Sequence, residues 1–143
     1  PFRFVELAQE INAGMPAYVV HRVQDLLNRD GLALRDARVC LLGVSYKADS
    51  ADDRESPARP VARLLAERGA SISYHDPHVD RWRPAPHALP VVRWTDLHDA
   101  LGACDVAVLL QAHREYRHLA HWALPVRILD TRGLLSGSAV ERL

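Results

Sequence analysis

The sequence has no long apolar run and no excess of either charge. Its longest apolar stretches, VCLLGV and DVAVLLQA, are far shorter than the roughly 20 residues that a membrane-spanning helix needs. Eighteen acidic residues balance eighteen lysine and arginine residues, so the basic surface of a nucleic-acid-binding protein is not expected. The chain begins PFRFVELAQE, which does not resemble a secretory segment. We therefore expect neither a membrane protein nor a nucleic-acid partner.

Cysteine and lysine are both scarce. Cys40 and Cys104 lie inside apolar runs that predict buried strands, where a thiol behaves as a small hydrophobic group. This placement favours free, structural cysteines and a reducing, cytoplasmic location. Lys47 is the only lysine, so every other residue in the Lys plus Arg count of 18 is an arginine. The lone ammonium group suggests a task at Lys47 that a guanidinium would not perform equally well.

The first thirty residues predict one long amphipathic helix. Apolar residues recur at steps of three and four over residues 4–27, which is the helical period. Pro16 removes a backbone donor in the middle, so we expect a kink there or a boundary between two helical pieces. Gly31 is expected to follow the last turn as a C-terminal cap. An apolar stripe of this length indicates contact with a second subunit or another domain.

From residue 37 onward, short apolar runs alternate with helical segments. RVCLLGV and SISYHDP predict buried strands, and SPARPVARLLAERG between them predicts a helix with Ser56 as N-cap and Pro57 at its first position. Then follow a short strand near 91–93, a helix capped by Thr95, a strand in DVAVLLQA, a helical turn in REYRHL and a last strand in PVRILD. This alternation predicts an α/β fold with a doubly wound, mostly parallel sheet.

Three loops of the predicted sheet carry polar or cationic side chains. Tyr46, Lys47 and Arg54 follow the first strand, His113 follows DVAVLLQA, and Arg132 follows RILD. Ligands of such sheets bind where the carboxyl ends of the strands meet, and converging cations suit a phosphate or pyrophosphate group. The alternative is that Lys47 and Arg54 only neutralise the acids of ADSADDRE in a solvated loop.

Other kinds of site have weaker signals. Gly43 is the only glycine of the first loop, whereas a dinucleotide-binding loop follows G-x-G-x-x-G. We therefore expect Asp76 to lie at a strand end followed by a turn, rather than to bind a ribose. The histidines and cysteines lack the spacing of a zinc site, and neither cysteine follows a loop that would activate it. We expect no metal site and no catalytic residue in this chain.

The run LGVSYKADSADDRESPA, followed by LLAERGASISYHDPHV, closely resembles the C-terminal domain of the nucleotide-sugar 6-dehydrogenases. This family comprises the UDP-glucose, UDP-N-acetylglucosamine and UDP-N-acetylmannosamine dehydrogenases. FVELAQEINAGMPAYVVHRVQDLLN is similar to the helix that links the family's two Rossmann-like domains and carries its dimer interface. The resemblance implies a linking and dimerising helix at 1–31 and a Rossmann-like, UDP-sugar-binding domain at 32–143, in a homodimer.

The resemblance also implies a reaction and four residue roles. The parent enzymes oxidise the C6 alcohol of a UDP-sugar to a carboxylate in two hydride transfers to NAD. Tyr46 and Lys47 match an aromatic-lysine pair that contacts the sugar nucleotide, Arg132 matches an arginine that helps to hold the substrate, and Arg54 matches one that reaches NAD. The family's glycine-rich NAD domain and nucleophilic cysteine have no counterpart in this sequence. The resemblance therefore implies a portion that cannot perform the oxidation alone.

Two other functions remain open from the sequence. One is a standalone interaction module that kept the fold and lost the ligand. The other is an NAD-binding Rossmann domain, which the missing glycine-rich loop disfavours.

Overall fold

The structure, a computed structural model, describes residues 2–88 and 90–143 and confirms the predicted α/β class. Its helices are α1 (Arg3–Arg29), α2 (Ala58–Glu67) and α3 (Leu97–Gly102), with a 3₁₀ helix at Arg114–His121. Its strands are β1 (Arg38–Leu42), β2 (Ser71–His75), β3 (Val92–Arg93), β4 (Val106–Leu109), β5 (Ile128–Asp130) and β6 (Val140–Arg142).

The strands form one sheet in the order β3-β2-β1-β4-β5-β6. Every ladder between described residues is parallel, which confirms the predicted doubly wound, Rossmann-like arrangement. The chain builds outward from β1 to β3 and then returns to place β4 on the other side of β1. This reversal makes the carboxyl ends of β1 and β4 the switch point at which such sheets bind ligands.

The sheet separates two apolar cores because side chains alternate between its faces. Val39 and Leu41 of β1 pack with α1 and α2, whereas Cys40 and Leu42 pack with α3 and the 3₁₀ helix. All four are fully buried. Cys104 lies in the second core, and both cysteines are free, as the sequence predicts.

Only the C-terminal half of α1 packs on the sheet. Its buried side chains are Val19, Val20, Val23, Leu26 and Leu27. Arg22 and Arg29 of the same half form ion pairs with Glu141 of β6. Toward the N-terminus of α1, by contrast, Phe4 is 84% and Ile11 56% exposed. None of the helices in the described part of the chain, α1 included, has the length and hydropathy to cross a membrane.

Of the local predictions, the alternative of a boundary at Pro16 and the Thr95 cap are wrong, and one strand was not predicted. α1 continues through Pro16 without a boundary, because the carbonyl that loses its helical donor there belongs to Asn12, which is exposed to water. The cap of α3 is Asp96 rather than Thr95, since the Asp96 side chain accepts the N–H of Asp99 at 2.9 Å. β6 was not predicted, because its sequence, VER, is only three residues long and has no apolar run or alternation that would indicate a strand.

The glycine predicted to end α1 is confirmed, whereas the predicted start of α2 is one residue too early. Gly31 follows α1 with φ of 73°, a left-handed conformation that suits glycine. At the start of α2, the Ser56 hydroxyl accepts the N–H of Ala58 at 3.2 Å. Pro57 between them has helical dihedral angles but is itself the N-cap, so α2 begins at Ala58, one residue after the predicted first position.

Candidate functional site

The candidate site lies at the edge where the carboxyl ends of β1, β4 and β5 meet. These strands are neighbours in the sheet, so the segments that follow them leave the sheet side by side. We call residues 43–56, between β1 and α2, the β1 loop. The other two segments are residues 110–113 after β4 and 131–135 after β5. The predicted site residues all lie on these segments.

Gly43 starts the β1 loop in a position that only glycine fits. Its φ is 82°, and a Cβ added there would lie 2.7 Å from the Cβ of Gln111. The close approach lets the Gln111 amide donate to the carbonyl oxygens of Ser45 and Tyr46 at 3.3 and 3.0 Å. The segment after β4 thus fixes the backbone of the β1 loop directly before Lys47.

The Asp76 carboxylate, which follows β2, forms the centre of a buried network beneath this loop. Its Oδ2 accepts the N–H of Val44 at 2.8 Å, and its Oδ1 accepts those of His78 and Val79 at 2.8 and 3.1 Å. Burial opposes ionisation of Asp76, but hydrogen bonds from His113 and the backbone outweigh it and hold the pKa below its usual value. The bond to His78 confirms the turn predicted at Asp76.

His113, which follows β4, extends this network to the far end of the β1 loop. Its Nδ1 accepts the N–H of Asp49 at 2.8 Å, and its Nε2 lies 3.0 Å from Asp76 Oδ2. The first bond requires an unprotonated Nδ1, so the proton is assigned to Nε2, which donates to the carboxylate. The side chain is fully buried. The sequence pointed to His113 as a possible ligand-binding group, whereas the structure shows it supporting the loop.

Tyr46 and Lys47 lie on the outside of the braced loop. Tyr46 is 50% exposed, and Lys47 is also exposed. Within the described residues, Lys47 forms no ion pair, although four other charged residues of the loop do. The ammonium group therefore faces solvent while its backbone is held, which is the arrangement that an anion-binding lysine requires.

Arg54 is paired with an acid of its own loop. Its Nε and Nη2 donate to the two carboxylate oxygens of Asp52 at 2.9 and 3.0 Å. Arg54, with a smaller effect from Lys47, lowers the pKa of Asp52 to about 2. In this conformation Arg54 therefore neutralises an acid of its own loop, as the alternative interpretation of the sequence predicts. Since the Arg54 side chain is 84% exposed, the pair contributes little to stability.

Arg132 borders a pocket of about 440 Å³ at the start of α2, which we call the Arg132 pocket. The pocket lies between α1, the end of the β1 loop and the β5 segment, with Met15, Glu55 and Ser56 among its lining residues. Asp130 fixes the backbone here, because its Oδ1 accepts the N–H of Arg132 at 2.8 Å. The Arg132 side chain itself is exposed and free to meet a ligand.

The structure brings the predicted site residues to one edge but not into one pocket. Arg132 shares its pocket with the last residues of the β1 loop, whereas Tyr46, Lys47 and Arg54 are not part of that lining. Sequence analysis missed the supporting roles of Asp76 and Gln111. Both are polar residues next to buried strands, which is the signal that could have indicated them.

Three donor groups at this edge are close enough to suggest a metal ion. Side-chain donors of Asp49, His78 and His113 lie within 4.8 Å of one another. His113, however, uses both ring nitrogens in the loop network. An Asp49 oxygen also accepts the N–H of Arg114 at 2.9 Å. A metal would have to displace these bonds, so the donor set suits loop support better than metal binding.

Comparison with protein families supports a nucleotide-binding role for this domain. Residues 40–137 match the model of the UDP-glucose/GDP-mannose dehydrogenase family, UDP binding domain. A UDP-N-acetyl-D-mannosamine dehydrogenase from Methanococcus maripaludis is 32% identical over 117 residues, which cover 82% of this chain and 25% of the relative. An NDP-N-acetyl-D-galactosaminuronic acid dehydrogenase from Ralstonia nicotianae is 30% identical over 140 residues, covering 96% of this chain and 31% of the relative.

Solved structures show the same likeness. A crystal structure of NDP-N-acetyl-D-galactosaminuronic acid dehydrogenase from Methanosarcina mazei has a TM-score of 0.79 and 26% identity, covering 96% of this chain and 30% of that one. A UDP-N-acetyl-mannosamine dehydrogenase from Staphylococcus aureus has a TM-score of 0.75 and 28% identity, covering 99% and 32%. The chain therefore spans between a quarter and a third of the length of these relatives.

Proposed function

Because the chain belongs to the UDP-glucose/GDP-mannose dehydrogenase family, we propose that it is the substrate-binding and dimerising portion of an NAD-dependent UDP-sugar 6-dehydrogenase. The observation that carries this proposal is the match of residues 40–137 to the family's UDP binding domain. The complete enzyme would oxidise the sugar C6 alcohol to a carboxylate. The chain matches only part of its relatives, so we assign the oxidation to the complete enzyme and predict that this portion alone is inactive.

Tyr46, Lys47 and Arg132 would bind the UDP-sugar. The exposed Lys47 ammonium on a loop held by Gln111 supports a contact with phosphate oxygens, because a compact charge can follow them. The ring of Tyr46 is half-exposed, so it can make an apolar contact with the sugar nucleotide next to Lys47. Arg132 lies on the same sheet edge, and its planar guanidinium group can donate two parallel hydrogen bonds to a phosphate or one to a sugar hydroxyl.

NAD would contact this domain mainly through Arg54. Its pair with Asp52 is exposed, and exposed pairs contribute only about 0 to 1 kcal/mol, so Arg54 can exchange Asp52 for a dinucleotide phosphate. The rest of the domain does not fit NAD in the Rossmann manner. In that manner a ribose would meet the Asp76 oxygens, but these already accept four hydrogen bonds from the protein. Gln111 occupies the space beside Gly43, where a dinucleotide phosphate would otherwise approach the backbone. We therefore place most of the NAD site outside this chain.

The division into a helix at 1–31 and a domain at 32–143 belongs to the same proposal. The N-terminal half of α1 exposes Phe4, Leu7 and Ile11, each more than 50% exposed, and this stripe supports a homodimer formed through α1. The two free cysteines support a reducing, cytoplasmic location.

The second candidate function is a standalone interaction module. It is favoured by the same exposed stripe on α1 and by a β1 loop whose buried polar groups are satisfied within the chain. This module would dimerise without binding a nucleotide. Ligand binding therefore separates the two functions.

Isothermal titration of UDP into the 143-residue chain tests the proposal. We expect weak binding that falls by roughly tenfold in Lys47→Ala and in Arg132→Ala, since each variant loses a charge-assisted hydrogen bond. Arg117→Ala, on the exposed side of the 3₁₀ helix, is the control that removes one positive charge elsewhere. Equal heats from all four proteins would favour the interaction module.

A further inference from the structure

A second pocket, of about 560 Å³, lies on the β2-β3 side of the sheet. We call it the Trp82 pocket. Residues 80–83 and 85–86, which follow β2, form one wall, and Arg59 at the start of α2 forms another. Arg59 also borders the Arg132 pocket, whereas Arg81 and Arg83 border the Trp82 pocket but not the Arg132 pocket. These two arginines can therefore be changed without touching the proposed UDP-sugar site.

The Trp82 pocket carries more positive than negative charge. Four arginines line it, against two aspartates: Arg59, Arg81, Arg83 and Arg93, with Asp53 and Asp80. Both aspartates are already used, because Asp53 pairs with Arg59 at 3.1 Å and Asp80 pairs with Arg93 at 3.3 Å. Arg81 and Arg83 form no ion pair with the described residues. Two uncompensated guanidinium groups match the charge of about −1.5 to −2 on a phosphate monoester better than the single charge of a carboxylate.

Three N–H groups around the pocket find no acceptor among the described residues. They are the indole Nε1 of Trp82 and the Nε atoms of Arg59 and Arg93. Trp82 is only 3% exposed, so its indole donor has little access to bulk water. A buried donor without a partner typically costs about 1 to 3 kcal/mol. These three nitrogen atoms are themselves buried, so they do not face the open pocket, and its accessible donors are the exposed guanidinium groups of Arg81 and Arg83.

The remaining wall of the pocket is apolar and aromatic. The rings of Tyr74 and Trp82 pack with centroids 5.6 Å apart at an angle of 58°, and Pro86, Pro90 and Val91 complete the surface. The Tyr74 hydroxyl is already bonded to the carbonyl of Val79. Because Tyr74 and Trp82 are only 1% and 3% exposed, a hydrophobic or aromatic body would contact mainly Pro86, Pro90 and Val91.

We propose that the Trp82 pocket binds a small molecule that carries a phosphate group on an apolar or aromatic body. The phosphate meets Arg81 and Arg83, while the body packs against Pro86, Pro90 and Val91 beside the Tyr74–Trp82 pair. This ligand is additional to the UDP-sugar, since the residues that select it lie outside the Arg132 pocket and the outer face of the β1 loop.

Phenyl phosphate, which combines both features, is the probe for this proposal. We expect it to quench the fluorescence of Trp82 and to bind at least roughly tenfold more tightly than phenol, which lacks the charge. It should also bind more tightly than inorganic phosphate, which lacks the ring. Equal affinity for phenyl phosphate and phenol, or no advantage over inorganic phosphate, would overturn the proposal.

Substitutions test whether phenyl phosphate binds in the Trp82 pocket or at the UDP-sugar site. Arg81→Ala and Arg83→Ala should each weaken phenyl phosphate binding by roughly tenfold. Trp82→Phe removes the fluorophore, so quenching should disappear in this variant, while isothermal titration should still detect phenyl phosphate binding; quenching that persisted would assign the probe to Trp94 or Trp122 instead. Arg117→Ala is the charge-matched control and should leave binding unchanged, as should Lys47→Ala. Loss of binding in Lys47→Ala but not in Arg83→Ala would assign the probe to the UDP-sugar site and exclude the Trp82 pocket.

Discussion

At the scale of single residues, Gly43 is the position where the site depends most directly on local geometry. Gly43→Ala places a Cβ 2.7 Å from the Cβ of Gln111, in a residue whose φ is 82°. We expect the free energy of unfolding to fall by about 2 to 4 kcal/mol, because a left-handed conformation and an overpacked contact are combined. Urea denaturation measures this loss.

Gly133→Ala is the matched control for that variant. Gly133 also has a positive φ, 70°, but no atom lies within 4 Å of an added Cβ. It should therefore lose only the conformational contribution, about 1 kcal/mol. Equal losses at Gly43 and Gly133 would show that the contact with Gln111 is not what fixes the loop.

His75, at the end of β2, makes stability depend on pH. Burial lowers the pKa of its imidazole, and the neighbouring Asp76 carboxylate only partly opposes this. The unfolded chain takes up a proton near the ordinary value of about 6.5, while folded His75 takes up its proton only at a lower pH. The unfolded state thus binds more protons below that pH, and the free energy of unfolding should fall as the pH drops from about 7 to 5.

His75→Asn tests this contribution, because an asparagine amide can replace Nδ1 as a donor to the Tyr116 hydroxyl, 3.0 Å away, without titrating. Urea denaturation at a series of pH values should give a flatter profile for the variant between pH 7 and 5. His118→Asn, at an exposed position, is the control and should keep the original slope. An unchanged slope in His75→Asn would mean that other groups produce the acid sensitivity.

The positions of the candidate site residues could be predicted from the sequence, but their contacts could not. Lys47, Arg54 and Arg132 were found because they follow apolar runs, and parallel strands bring such residues to one edge. That Arg54 pairs with Asp52, while Lys47 has no ion pair with a described residue, depends on the path of the β1 loop. That path is set by Gln111 and Asp76, which lie far away in the sequence.

At the scale of elements, ion pairs of Arg22 and Arg29 in α1 with Glu141 in β6 stabilise the contact between the long helix and the sheet. Arg29 and Arg22 together lower the pKa of Glu141, which accepts from both. Glu141→Gln should reduce the free energy of unfolding by about 0.5 to 1 kcal/mol, because these pairs are partly exposed. The difference from wild type should shrink in 1 M salt, where screening is strong.

Glu67→Gln, at an exposed position on α2, is the control for that experiment. It removes the same charge without touching α1 and should change stability by less than about 0.5 kcal/mol. A loss in Glu141→Gln that persisted undiminished in 1 M salt would mean that packing, rather than charge, accounts for the contact.

Elements with a strong apolar pattern could be predicted, and those without one could not. β1 and β4 are buried on both faces, so they read as continuous apolar runs. β6 is held by its ladder with β5 and by the contact of Glu141 with α1, neither of which leaves a local signal. Tertiary contacts decide such short strands.

At the scale of the whole molecule, the exposed N-terminal half of α1 predicts self-association. Its large apolar side chains lie on a helix that extends beyond the core, and Ile11 is 56% exposed. Burying one such side chain contributes about 1.5 to 3 kcal/mol, and in a two-fold dimer each substitution acts twice. Ile11→Lys should therefore weaken the dimer by more than roughly tenfold.

Sedimentation equilibrium over a range of concentrations measures this effect. Val92→Lys is the matched control, because Val92 is 62% exposed but lies on β3, at the opposite edge of the sheet from β6. If both variants weakened association equally, the interface would not be α1. A strictly monomeric profile for the unchanged chain at high concentration would contradict dimerisation through this helix. The stripe would then be assigned to contact with another domain, the alternative that the sequence leaves open.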